Sequence, residues 1–351
     1  MLGRRAHLLT TMAAGALAVT VLAGCNASAD KSASKGTAGG AAAHSFILVT
    51  PGPVGVNPFL QLAVDGVKKA ATDLKGTSKV FESPDATNVQ QQVDAAVAAK
   101  PDVLAVVGFE FADSIAAAAT ANPSQKFLFV DACTAKPLPN VTCAVFREHE
   151  GVFLAGVEAG LLSKSKQVGA VVALDTPQIR RFSDPFGAGA KKADPAVGFT
   201  PLYVGGQNPF NDPARAKEQA LSLVAKKADL VMAAAAAGNL GVFDAAKGGA
   251  FTAFGVDVNQ CGVAPGHVVD NVVKQVDKVT ADSIAKIMAG SGGSLVSYGL
   301  KEGGVTLTGL QPGLDKSQCL IADKPDVLEQ VKKIRDQIIS GEVTVDDPAK
   351  G

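Results

Sequence analysis

Two periods alternate along this chain. Short, continuous apolar runs at residues 46–50, 103–107, 127–130, 168–174, 230–232 and 251–256 have the character of parallel strands covered on both faces. Between them, residues 60–74, 89–99, 112–121, 151–162, 214–225 and 275–288 carry apolar positions at helical spacing. Strand and helix in strict alternation predict an α/β fold. The length, 351 residues, fits two domains better than one, so two Rossmann-like doubly wound lobes joined by a hinge of crossover strands are expected.

A near-repeat supports two lobes. GVNPF at 55–59 and GQNPF at 206–210 each follow an apolar strand and precede a helix. In each copy the Asn suits a helix N-cap and the Pro its first turn. Phe59 and Phe210 then fall at the carboxyl ends of strands, where open α/β sheets bind ligands. Facing each other across a cleft, the two rings could close on a flat ligand. Packing of each ring between its own helix and sheet is the competing reading.

The N-terminus stands apart. Arg4 and Arg5 precede an apolar run (Leu8, Leu9, then 13–22) that ends in Leu22-Ala23-Gly24-Cys25, a signal peptide with a lipobox. The run is too short and too rich in Ala and Gly for a spanning helix. Residues 1–24 are therefore expected to be removed and Cys25 lipidated, which anchors the chain to the outer face of the cell membrane. Residues 25–43 then form a low-complexity tether. The expected lobes are 44–148 plus 260–292, and 149–259 plus 293–345.

Composition removes several function classes. Hydrophobic residues make up 47% of the chain, enough for a large core. Loss of Arg4 and Arg5 from 33 basic residues leaves 31 against 33 acids, a net charge of −2 with no basic run, so no electrostatic footprint for nucleic acid exists. The chain has no G-x-S-x-G, H-E-x-x-H or G-x-x-x-x-G-K-[ST] motif. His149 lies between Glu148 and Glu150, but neighbours on a helix diverge, so a solvated helix start is expected rather than a metal site. An acid-cluster nucleoside hydrolase would need several Asp at one strand end, and no such cluster is visible. Cys133, Cys143, Cys261 and Cys319 form an even set that admits three disulfide pairings. Cys133 with Cys143 and Cys261 with Cys319 is favoured because the first two flank one loop, with free buried thiols as the alternative.

FREHEGVFLAG at 146–156 resembles the F-R-x-x-E-G-x-F-L-A-G signature of the basic membrane protein family, the lipoprotein substrate receptors of ABC importers that include purine-nucleoside-binding lipoproteins. Weaker fragments follow in family order: Gly108-Phe109 with Ala112-Asp113, Arg181-Phe182, Asp212-Pro213, Gly255-Val256-Asp257, Val273-Lys274-Gln275 and Tyr298-Gly299-Leu300. The resemblance implies a type I periplasmic-binding fold with a nucleoside held between the lobes, no enzymatic activity, no cofactor and no metal. It also implies an ABC permease and ATPase as partners of a monomeric receptor; a lipoprotein that reports ligand to a signalling partner is the alternative.

Carried over by position, Phe59 and Phe210 resemble the family's stacking aromatics and Asp113 the acid that accepts from the base. Asp257 and Lys274 resemble the pair that holds the ribose hydroxyls. Asp113 could equally be a first-turn helix acid, and Lys274 a hinge ion-pair partner. Glu150 is read as a cap on the helix at 151–162. Two departures stand out. Many members read D-x-S-F-N-Q where this chain has Asn57-Pro58-Phe59-Leu60-Gln61, so an Asn becomes Leu60 and an Asp becomes Asn57, which should alter which base is accepted. The family's A-A-G-G-T-G is AAAAGN at 234–239, placing Ala236 where a ligand-approaching Gly is expected.

Overall fold

The structure, a computed structural model, describes residues 43–350; the leader, Cys25 and all but the last residue of the tether lie outside the described residues. The apolar runs become strands buried on both sides. In chain order the first lobe is built from β1 (Ser45–Thr50), α1 (Pro58–Asp73), β2 (Thr77–Glu82), α2 (Val89–Ala98), β3 (Val103–Val107), α3 (Ala112–Ala121), β4 (Phe127–Val130) and β5 (Val141–Phe146). Helix α4 (Glu148–Leu162) leads into the second lobe. There β6 (Gln167–Val172), α5 (Asp184–Ala193), β7 (Gly198–Tyr203), α6 (Pro213–Ala225), β8 (Leu230–Ala234), α7 (Asn239–Ala246), β9 (Thr252–Asp257) and β10 (Val268–Lys274) follow. The chain then returns through α8 (Val276–Met288) to β11 (Leu295–Tyr298), crosses again to β12 (Val305–Leu307) and ends with α9 (Pro325–Ser340).

The two sheets share one strand order. The first runs β2-β1-β3-β4-β5-β11 and the second β7-β6-β8-β9-β10-β12. All pairings are parallel except β10 with β12. Each sheet reverses direction of growth beside its first strand, between β1 and β3 and between β6 and β8. Loops leaving the carboxyl ends of those strands border a ready crevice. Along β3, Val103, Ala105 and Val107 join one apolar cluster while Leu104 and Val106 join another, so helices cover both faces.

Sheet membership corrects the expected lobe boundaries. Residues 268–274 form β10 of the second sheet, although 260–292 was assigned to the first lobe. Residues 295–298 form β11 beside β5, although 293–345 was assigned to the second. The chain changes lobe at the carboxyl end of β10 and again after β11, later in each case than hydropathy suggests. The polar edge strand β2 has no apolar run to announce it.

The near-repeat also resolves into two different local structures. Asn57 caps α1, its side-chain oxygen accepting from the backbone N–H groups of Phe59 and Leu60, with Pro58 in the first turn. In the second copy the cap is Asp212, which accepts from Arg215 N–H, and Pro213 follows it. Asn208 caps nothing. The Asp-Pro pair four residues on takes that role, which leaves Phe210 on a loop where Phe59 sits in a first helical turn.

Helix α4 has no exposed polar face because it is packed nearly all round. Its crossing with α5 depends on reciprocal glycines. A Cβ on Gly156 would lie 2.2 Å from the Phe186 carbonyl oxygen, and one on Gly189 would lie 2.1 Å from that of Phe153. One polar contact crosses this packing. Glu158 on α4 and Asp270 on β10 are both fully buried. Asp270 accepts from the N–H groups of Asn271 and Gly309, whereas neither oxygen of Glu158 has a donor among the described residues. Burial pushes both carboxyls up, and the charge of Asp270 pushes Glu158 further. Disulfides join Cys133 to Cys143 and Cys261 to Cys319.

Candidate functional site

A cavity of about 990 Å³ opens between the carboxyl edges of the two sheets, the size expected for a small-molecule site. Asn57 and Phe59 reach it from the turn after β1, and Gly108, Phe109 and Glu110 from the turn after β3. Phe210 enters from the loop between β7 and α6, Ala236 from the turn after β8, Asp257 from the end of β9 and Lys274 from the end of β10. The strand order thus puts residues about 150 positions apart on one lining.

Phe59 and Phe210 line the same cavity but are partnered differently. The ring of Phe210 packs on Phe109 of the opposite lobe, with centroids 6.2 Å apart and planes inclined by 57°. Phe59 lies beneath a cation: Lys274 Nζ is 4.9 Å from its centroid. Both rings also pack against the core, so each is part wall and part scaffold.

Lys274 organises the cavity floor. Its side chain is almost wholly buried and pairs with Asp131, which follows β4 in the first lobe, and with Glu148 at the start of α4, 2.8 Å away. Phe146 and Phe182 place two further rings near the ammonium, at 4.8 and 5.7 Å. Burial opposes the charge on Lys274, but Asp131, Glu148 and Asp257 together hold its pKa above the usual lysine value. Burial pushes the Asp131 carboxyl up against the pull of Lys274. Burial works on Glu148 in the same sense, yet Lys274 and Arg181 outweigh it and keep this carboxyl below its usual value. Asp257 is pushed up to about 6 by burial, with Lys274 drawing it down and Glu148 adding to the rise.

The charge chain runs on behind the floor. Arg181 lies 3.7 Å from Glu148 and clasps Asp347, near the end of the described chain, with two hydrogen bonds of 2.7 and 2.8 Å. His149 is buried rather than solvated, 4.0 Å from Asp347, and burial lowers its pKa against the opposing charge of Asp347. The helix start faces inward because α4 is enclosed. Glu150 is an acid in the first turn of α4, pairs with Arg147 three residues before it and accepts from Leu300 N–H across the crossover, so it also braces the hinge.

Three lining residues hold a left-handed backbone without being glycine: Asp131 at φ 76°, Ala236 at φ 50° and Asp257 at φ 71°. Such positions cost of order 1–3 kcal/mol each. Their convergence on one cavity marks a surface shaped for something other than packing. Ala236 thus holds a conformation that glycine adopts without strain.

Of the residues singled out in the sequence, the cavity gathers Asn57, Phe59, Phe210, Ala236, Asp257 and Lys274. Asp113 is not among them. It is exposed on the first turn of α3, because the short turn at 109–111 points Glu110 rather than Asp113 into the opening. Sequence reasoning missed Asp131, Glu148, Phe109, Glu110 and Phe182. Asp131 and Phe109-Glu110 directly follow apolar runs, so strand-end position could have flagged them. Among the described residues no group of His, Cys, Asp and Glu could hold a metal ion, and no helix is long and apolar enough to cross a membrane.

Two lobes of matching strand order, a lined cleft between them and a charged pivot at its floor are the parts of a solute receptor. Residues 43–347 match the profile of the Bmp family, described as ABC transporter substrate-binding protein, PnrA-like. The chain belongs to this family. Its relatives include the ABC transporter nucleoside-binding protein BmpA of Lactococcus lactis, 30% identical over 97% of this chain and 98% of that protein. Basic membrane protein A of Borreliella burgdorferi is 28% identical over 73% of this chain and 76% of its own length. Among solved structures, an ABC transporter solute-binding protein from Aeropyrum pernix superposes with a TM-score of 0.77 at 25% identity, covering 87% of this chain and 94% of that one. The Bmp family consists of solute-binding proteins, not enzymes, and its members work outside the cytoplasm with a small-molecule ligand and transporter partners.

Proposed function

We propose that this chain is a lipid-anchored receptor of an ABC importer and that it takes a nucleoside into the inter-lobe cleft. The observation that carries the reading is that one cavity is lined both by the rings of Phe59 and Phe210 and by the charged side chains of Asp257 and Lys274. A base lies between the rings, and the ribose hydroxyls donate to Asp257 and accept from Lys274. The L. lactis relative, whose name records nucleoside binding, supports this choice of ligand.

The mechanism is hinge closure. Lys274 ends the strand at which the chain leaves the second lobe, and it pairs with Asp131 of the first. A ligand touching both lobes is held by all of its contacts only when they approach, so binding shifts the population toward the closed form that the permease reads. Lipidation at Cys25 keeps the receptor, working as a monomer, beside that permease.

Calorimetry with nucleosides, free bases and ribose tests the ligand. Nucleosides should bind and ribose alone should not; binding by none of the nucleosides rejects the reading. The intact mass of the membrane-extracted protein tests the anchor, since Cys25→Ala should abolish both the lipid mass and membrane retention.

A further inference from the structure

Two of the left-handed lining residues, Ala236 and Asp257, stand where the second sheet has come apart. Pairing of β8 with β9 ends at Met232 and Phe254, short of both. At Asp257 the chain turns as tightly as it can: Val258 N–H donates to the Val256 carbonyl 2.9 Å away, around a φ of 71°. A three-residue turn closed about a positive φ is the rare, strained form of the γ-turn. Such a turn persists only where its surroundings hold it.

Buried side-chain amides do the holding. Asn239 Oδ1 accepts from Ala235 N–H at 2.7 Å, and Gln260 Oε1 accepts from Val256 N–H at 3.2 Å, in each case one residue before the left-handed position. The two are joined, because Asn239 Nδ2 donates to the same Gln260 oxygen at 3.2 Å. Gln260 N–H donates to Asn271 Oδ1 at 3.1 Å, on β10 and three residues before Lys274. Asn239, Gln260 and Asn271 are all buried, and none of them lines the cavity. Gly255 leaves the room they need: a Cβ there would stand 2.3 Å from Asn271 Oδ1 and 2.7 Å from Gln260 Oε1. Without the Gln260 oxygen two buried donors, Val256 N–H and the Asn239 amide, would be unpaired. Opening the strained turn relieves them and swings Asp257 off its aim.

We propose that Gln260, with Asn239, is a positioning residue for ligand capture: from behind the cleft it holds the strained turn that aims Asp257 at the ligand and ties it to the turn at Ala236. This inference rests on the nucleoside reading of the cleft. Gln260 touches no ligand, so its effect on affinity passes through Asp257.

The test is calorimetric titration of the full-length protein at pH 7.5 with adenosine, guanosine, cytidine and uridine, the tightest of which serves as the probe. Gln260→Met, similar in length but without an acceptor, should weaken probe binding about tenfold, within the coupling found between residues of one network. Introduced into Phe210→Ala it should cost the same factor, whereas introduced into Asp257→Asn it should cost about twofold or less. A role in folding alone would lower the melting temperature without this dependence on Asp257. Wild-type affinity in Gln260→Met, or an equal loss in both backgrounds, overturns the assignment while the nucleoside reading stands. Should Gln260→Met fail to fold, Asn239→Ala decides, because it leaves Gln260 on Val256 and removes only the bonds of Asn239. That variant should bind the probe about threefold more weakly, and wild-type affinity in it overturns the proposal. Binding of none of the four ribosides by wild type overturns the nucleoside reading and this inference with it.

Discussion

Lys274 of the second lobe and Asp131 of the first form an ion pair across the cavity floor, and Glu148 bonds the same ammonium from the helix that joins the lobes. The contact is a pivot and part of the lining at once. Removal of one partner from a buried charge cluster is costly because the others are left uncompensated.

Lys274→Met should therefore destabilise the protein by about 3–5 kcal/mol, as read by urea denaturation. Asp131→Asn introduced into that variant should restore part of the loss. Unchanged stability in Lys274→Met would show that the cluster contributes nothing to folding.

The two aromatic walls should respond differently. Phe210→Ala removes a loop ring and should weaken nucleoside binding by up to about tenfold with little effect on the melting temperature. Phe59→Ala should weaken binding to a similar degree and also lower the melting temperature, because that ring lies against Lys274. Affinity that survives both changes, alongside a marked loss of stability, would make the rings packing elements only.

Binding should fall in mild acid. The cleft pushes the pKa of the Asp257 carboxyl up to about 6, above the ordinary 3.8, because burial disfavours its charge; Lys274 opposes this and Glu148 reinforces it. Hydroxyl donors of a ribose need the ionised form, so binding must expel a proton once the pH is below about 6. Riboside affinity should be level above that pH and decline by up to about tenfold per unit below it. Asp257→Asn should flatten the profile, and an unaltered profile in that variant would remove Asp257 from the sugar contact.

The buried carboxyls of Glu158 and Asp270 set a second pH dependence, this time of stability. Both carboxyls have raised folded-state pKa values, so their contribution is complete below the unfolded values and is lost as the pH rises through the folded ones. The melting temperature should fall between pH 5 and pH 8. Glu158→Gln, which has no carboxyl to ionise, should make that fall shallower, and an unchanged fall would show that Glu158 does not contribute to it.

The two disulfides should differ in worth. Cys261–Cys319 closes a separation of 58 residues and Cys133–Cys143 one of 10. Loop-closure entropy puts their removal at about 4 and about 3 kcal/mol respectively. Thermal unfolding of paired Cys→Ala variants orders them, and a larger loss for the shorter loop would contradict the entropic account.

The features legible in sequence were those with a local cause. Unbroken apolar runs announced most buried strands, strand-end position pointed to Phe59 and Asp257, and the family resemblance pointed to Lys274, all three of which line the cavity. Features set at a distance were not legible. No local pattern shows that residues 268–274 pair in the second sheet, because the lobe change depends on what α8 packs against. Asp113 and Glu110 differ by one helical turn of aim, which is decided by the short turn at 109–111. Asn208 imitates the cap at Asn57, but the Asp-Pro pair at 212–213 supplies the cap instead. The buried neighbours of Lys274 come from segments 126 and 143 positions away, beyond the reach of periodicity.

Arg181, which steadies Glu148 from behind the cleft, has its strongest partner in Asp347, beyond the last long helix. Asp347→Ala would leave this guanidinium enclosed with only the more distant carboxylates of Glu148 and Asp131 to neutralise it. A residue 166 positions further along the chain thus sets how firmly the acid beneath Lys274 is held.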